Sequence, residues 1–82
     1  MQYSTHMLRD LRRTIGRNIT RLRTEKSMPQ PELACLSNVS KRRLKQYELG
    51  KHKIDLESMC RIACILDVHV KTLLDDGDMG SL

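Results

Sequence analysis

The sequence predicts an all-α domain of five helices, and three observations carry that prediction. Apolar residues recur at steps of three and four along most of the chain, the spacing that builds one face of a helix. Only two of the 82 residues are aromatic, with no Phe or Trp. The core must therefore come from Leu, Ile, Val, Met and Ala, which suit packed helices. Breakers and capping residues (Pro29, Pro31, Ser40, Gly50, Asp55) fall between the periodic segments. At this length there is room for one domain with one small core.

The first helix is expected from Ser4 or Thr5 to Lys26, with Leu8, Leu11, Ile15, Ile19 and Leu22 on one face and Arg9, Arg12, Arg13, Arg17 and Arg21 between them. Gly16 inside it costs about 1 kcal/mol against Ala, so another helix is expected to come close there. A short second helix runs from Pro31 to Leu36, with Leu33, Ala34 and Leu36 as its apolar members. Residues 37–40 read as a tight turn in which Asn38 accepts the left-handed conformation and Ser40 caps the next helix. That third helix covers Lys41 to Leu49, with Leu44 and Tyr47 inward, and Gly50 stops it. Asp55 caps a fourth helix, Leu56 to Leu66, whose inner face is Leu56, Met59, Ile62, Ala63 and Leu66. A fifth spans Val70 to Leu74. Residues 1–74 are thus read as one domain with an N-terminal helical extension, and 75–82 as an acidic, mobile tail.

The net charge is +5, but it is unevenly spread. Residues 1–53 hold 13 Lys or Arg against 4 Asp or Glu, whereas residues 54–82 hold 2 against 6. A basic face attracts a phosphate backbone; from charge alone, a merely solvated basic surface fits as well. No apolar run approaches the roughly 20 residues of a membrane span, and no charged head followed by an apolar stretch marks a secretory signal. Three cysteines, an odd number, suit a reducing, cytoplasmic setting.

Four segments, IGRNITRLRTEKSM, QPELACLSNVS, KRRLKQYELGK and DLESMCRIACILDVHVKTLL, follow one another in register over about 60 residues. In that order and spacing the chain resembles the lambda repressor and Cro type of helix-turn-helix domain, the xenobiotic-response-element family. The resemblance implies a compact five-helix lambda-repressor-like domain that binds double-stranded DNA. Helices two and three would form the DNA-reading pair, and the third would enter the major groove.

Roles follow from the resemblance residue by residue. Lys41, Arg42, Lys45 and Gln46 would reach base edges, Arg matching the guanine acceptors and Gln adenine. Arg43, Lys51 and Lys53 would hold phosphates. Gln30 matches a family glutamine that meets a phosphate at the start of the second helix. Here Pro29 replaces the usual capping residue, which leaves Gln30 itself as a candidate N-cap and competes with that role. Arg23 and Glu48 match a family ion pair joining the first and third helices; a phosphate contact is the other reading of Arg23.

Cys60 and Cys64 stand at i, i+4, but no further ligands complete a zinc set at a familiar spacing. Buried or half-buried free thiols are the expectation, and no metal or cofactor is expected. His6, His52 and His69 are scattered and form no catalytic constellation, so no enzyme is expected. Two functions remain: a sequence-specific transcriptional regulator, a repressor acting as a homodimer on a near-palindromic operator, or an antitoxin or other protein-binding module for which DNA binding is secondary. Cys64 and Ile65 with the fifth helix, or Met7, Leu8 and Leu11, are the competing dimer surfaces.

Overall fold

The structure, a computed structural model, describes residues 5–76. Ser4, the alternative start of the first helix, and residues 77–82 of the acidic tail lie outside the described residues. Five helices follow in order: α1 Thr5–Glu25, α2 Gln30–Leu36, α3 Lys41–Glu48, α4 Leu56–Ile65 and α5 Val70–Leu74. There is no strand among the described residues. The protein is all-α, as its periodicity implies.

One core serves all five helices. α1 contributes Ile15, Ile19 and Leu22, α2 Leu33 and Ala34, and α3 Leu44 and Tyr47. Met59, Ile62 and Ala63 of α4, its C-cap Leu66, and Leu73 of α5 complete it. Val39 and Ile54 pack against this core from the loops on either side of α3. α1 is the spine: it packs on both α3 and α5, while α2 packs on α3 and α4.

The first four helices end in the same way, with a left-handed residue just past the cap and two bonds closing back on the last turn. After α1 the residue is Ser27 (φ 54°), after α2 Asn38 (57°), after α3 Gly50 (72°) and after α4 Asp67 (61°). The closing pairs after α2 are Asn38 N–H to Cys35 O and Val39 N–H to Ala34 O; after α3 they are Gly50 N–H to Tyr47 O and Lys51 N–H to Gln46 O. Asn38 and Gly50 carry a recognisable sequence signal for this conformation. Asp67 carries a weaker one, since Asp tolerates this region better than most residues, and Ser27 carries none.

Helix starts follow the sequence at two places. The Ser40 hydroxyl accepts the N–H of Arg43 at 3.0 Å. A carboxylate oxygen of Asp55 accepts the N–H of Ser58 at 3.0 Å, and its other oxygen accepts the Ser58 hydroxyl at 2.7 Å. Those two bonds hold the Asp55 carboxyl below its ordinary pKa, the hydroxyl contributing most. At α5 the cap is His69, whose Nδ1 accepts the N–H of Lys71.

Asn18 ties α1 to the far end of the described chain. It lies among the apolar residues of α1 and is itself buried. Its side-chain amide reaches the carbonyls of Leu73 at 2.8 Å and Asp75 at 2.7 Å, satisfying acceptors that the end of α5 leaves open. Asp75, assigned to the tail by its charge, is thereby fastened to α1.

Three expectations need correction. Leu56, placed on the inner face of α4, is 69% exposed, because it opens the helix at the edge of the body. Leu36 and the extension residues Leu8 and Leu11 are also exposed. Cys35, Cys60 and Cys64, expected to be buried or half-buried, are all exposed. The core positions of α4 are taken by Met59, Ile62 and Ala63, which leaves its thiols on the far side.

Candidate nucleic-acid interface

α3 is held from beneath and left bare outside. Leu44 and Tyr47 are buried, and Lys41, Arg42, Arg43 and Lys45 are exposed, with Gln46 half-buried beside them. Four cations on two turns of one helix repel one another unless an anion lies near. Lys51, His52 and Lys53 are exposed on the loop after α3. A cleft lined by Ser40, Arg42, Arg43, Gln46 and His52 runs along this side, so its lining combines cationic and hydrogen-bonding groups. His52 is oriented by two contacts: its ring lies edge-on to Tyr47 at 6.0 Å, and its Nδ1 is 2.7 Å from Lys53 O.

The far end of α3 is locked to α1. Gly16 has the carbonyl oxygens of Tyr47 and Glu48 so close that a Cβ there would sit 2.5 Å from each. Only glycine allows that approach. Beside it, the Glu48 carboxylate gathers groups from two other helices. Arg23 donates Nε to Oε2 at 2.8 Å and Nη2 to Oε1 at 3.0 Å. Gln30 donates its amide to Oε1 at 2.8 Å. The Thr20 hydroxyl lies 3.0 Å from Oε1 and equally far from Gly16 O, so it serves one of them at a time. Arg23 is steadied again through Nη1 on Met28 O at 2.9 Å. Two parallel N–H···O bonds between guanidinium and carboxylate fix direction as well as distance. This cluster sets the angle at which α3 leaves the body.

A family model described as helix-turn-helix matches residues 19–73. The chain belongs to the helix-turn-helix family, in its lambda repressor and Cro branch. α2 and α3 are the two helices of the motif, residues 37–40 are its turn, and α3 is the recognition helix. The helix-turn-helix protein is similar to the restriction-modification controller protein C.AhdI from Aeromonas hydrophila, at 27% identity and a TM-score of 0.73, over 76% of this chain and 94% of that one. It is similar to the master regulator for biofilm formation SinR, solved in complex with DNA, at 34% identity and a TM-score of 0.71, over 74% of this chain and 98% of that one. It is also similar to a complex of the SinR and SinI proteins, at 32% identity and a TM-score of 0.74, over 83% of this chain and 66% of that one. A comparison with curated proteins finds no match. Family membership makes the helix-turn-helix protein a DNA-binding regulator of transcription.

The structure gathers Lys41, Arg42, Arg43, Lys45, Gln46, Lys51 and Lys53 on the recognition helix and the loop after it. Gln30 stands apart. It opens α2 as the first helical residue, and Pro29, without a side-chain bond, occupies the N-cap place for which Gln30 is a candidate by sequence. Its amide is engaged with Glu48, so its side chain belongs first to the cluster that aims the recognition helix.

Two residues of the site escape the sequence pattern. His52 is one of three scattered histidines along the chain, yet it lines the cleft beside the recognition helix. Arg61 is only one more charge on α4 by sequence, yet its Nε donates to Ser37 O at 2.8 Å and ties α4 to the turn of the motif. Neither carries a signal at fixed spacing, because each contact crosses between elements.

Proposed function

We propose that this helix-turn-helix protein is a sequence-specific repressor of transcription that binds double-stranded DNA as a homodimer in the cytoplasm. The observation that carries the reading is the exposed cationic face of α3, seated on buried Leu44 and Tyr47 and aimed by the Glu48 cluster. Lys41, Arg42, Lys45 and Gln46 read base edges in the major groove. Arg43, Lys51 and Lys53 hold phosphates, and Gln30 adds its backbone N–H and the free amide hydrogen of its side chain. A single reading helix buries too little surface for tight specific binding, so two copies read half-sites roughly 10 bp apart. The N-terminal extension supports the pairing: Leu8 and Leu11 with Leu74 and Ile54 line an apolar groove rimmed by Arg12 and Lys53. SinR, similar in fold and sequence, has been solved both with DNA and with SinI. The second of these favours a protein partner as the source of regulation, the antitoxin-like reading included.

The test separates specificity from affinity. Operator DNA is first selected from random sequence. Arg42→Ala should then lose about 1–3 kcal/mol on that operator and little on scrambled DNA, the worth of one bidentate base contact. Lys51→Ala should weaken both DNAs by a similar factor and flatten the salt dependence. Equal losses for both variants on both DNAs would mean that α3 does not read sequence. Sedimentation with and without the operator should give two copies per site, and one copy on an asymmetric site would remove the dimer.

A further inference from the structure

We propose that Cys60 and Cys64 form an accessory site on α4 for one soft, two-coordinate cation of the Cu(I) class. The two residues stand one turn apart on the same side of a helix, and both are exposed. Free cysteine is among the most often buried residue types. Packing does not explain these two, because the core side of α4 is already filled by Met59, Ile62 and Ala63.

Geometry brings the thiols within reach of one ion. Residues at i, i+4 have their Cβ atoms about 5–6 Å apart. With metal–sulfur bonds near 2.3 Å, a linear S–M–S unit spans about 4.6 Å, which a rotation of each side chain about χ1 closes. The number of donors then selects the metal. Thiolates favour Cu(I), zinc and iron–sulfur clusters. Zinc in a structural site and iron–sulfur clusters want four protein ligands. Among the described residues no group of three or more His, Cys, Asp or Glu gathers. Cys35 lies on α2, outside the pair. Two thiolates, with no third ligand gathered beside them among the described residues, suit a two-coordinate soft cation.

Binding is a substitution without redox change. One Cu(I) displaces two thiol protons and forms two Cu–S bonds, giving a bis-thiolate of net charge −1 and releasing two H⁺ to solvent. Affinity therefore rises with pH. Arg61 lies between the two cysteines in sequence, and it is the residue whose Nε reaches Ser37 O in the turn of the motif. Its Nη1 is 2.7 Å from Glu57, which lies one turn before it. The proposed site thus shares α4 with the residue that ties this helix to the turn of the motif.

The experiment is an anaerobic titration of the full chain with Cu(I) supplied as its acetonitrile complex, read by native mass spectrometry and by competition with a chromogenic Cu(I) chelator. One Cu(I) per chain is expected, with a thermal midpoint that rises on loading. Cys60→Ser and Cys64→Ser should each lower the affinity at least 100-fold, and Cys35→Ser should leave it within 2-fold. All three variants change exposed side chains, and a circular dichroism spectrum checks their fold before titration. Loss on Cys35→Ser, one metal shared by two chains, or retention after Cys60→Ser would each overturn the proposal.

Discussion

Replacing Glu48 by Ala should cost this domain a large part of its stability. The carboxylate is 5% exposed and the Arg23 side chain 16%, with their closest approach at 2.8 Å. Removing one partner of a buried, hydrogen-bonded pair costs about 3–5 kcal/mol, mainly because the other charge is left without compensation. Arg23 keeps its bond to Met28 O and some contact with water, which puts the loss near the lower end, about 3 kcal/mol. The Gln30 amide and the Thr20 hydroxyl lose an acceptor in the same step. A domain of this length holds about 4–12 kcal/mol in all. At about 4–8 °C per kcal/mol, the thermal midpoint should fall by about 12–24 °C. Urea and thermal denaturation of wild type, Glu48→Ala, Arg23→Ala and the double variant measure the loss and the coupling together. The double variant should cost less than the sum of the singles by about 1–3 kcal/mol. A loss below 1 kcal/mol for Glu48→Ala, or strict additivity, would refute the cluster as the device that fixes α3.

Gly16→Ala tests the same joint from the other side. Its Cβ would press on two backbone oxygens, so a cost of about 1–3 kcal/mol should outweigh the helix-propensity gain of about 1 kcal/mol and should weaken operator binding as α3 is displaced; a more stable variant in a melt would contradict the close approach. The helix ends give opposite signs for similar changes. Ser27→Gly and Asp67→Gly relieve left-handed L-residues and should each raise stability by up to about 1 kcal/mol, whereas Gly50→Ala should lose about 1–2 kcal/mol, with a Cβ 3.0 Å from the Arg13 backbone as well; urea midpoints decide it.

Much of the fold was legible because it is local. The steps of three and four in α1, Ser40 and Asp55 at helix starts, and Asn38 and Gly50 at helix ends all act within one turn of chain. Gly16 announced the approach of a second helix through its cost alone. Burial at helix edges was not legible. Leu36 and Leu56 continue an apolar pattern to positions where no neighbouring element remains to cover them. The cysteines failed for a related reason: α4 has enough apolar residues without them, and hydrophobicity alone does not say which ones turn inward. Of the candidate site, the place of α3 in the motif was legible from the order and spacing of the family segments rather than from its cations, but His52, Arg61 and the engagement of Gln30 by Glu48 depend on contacts between separate elements. Asn18 is the extreme case, a polar residue in an apolar stripe whose partners lie 55 and 57 residues away.

That last contact bears on how the protein is made. A chain emerging from the ribosome delivers α1 first and α5 last. Until residue 75 is free, Asn18 has no carbonyls to meet and α1 has nothing to cover the side that α5 will take. Closing a loop that long costs chain entropy, which the contacts at its two ends must exceed. The recognition helix docks on the same α1, so the spine on which it rests is completed only when α5 has been synthesised. A messenger cut short before the codon for Leu73 yields a product with an orphaned amide in its interior and an open side on its spine.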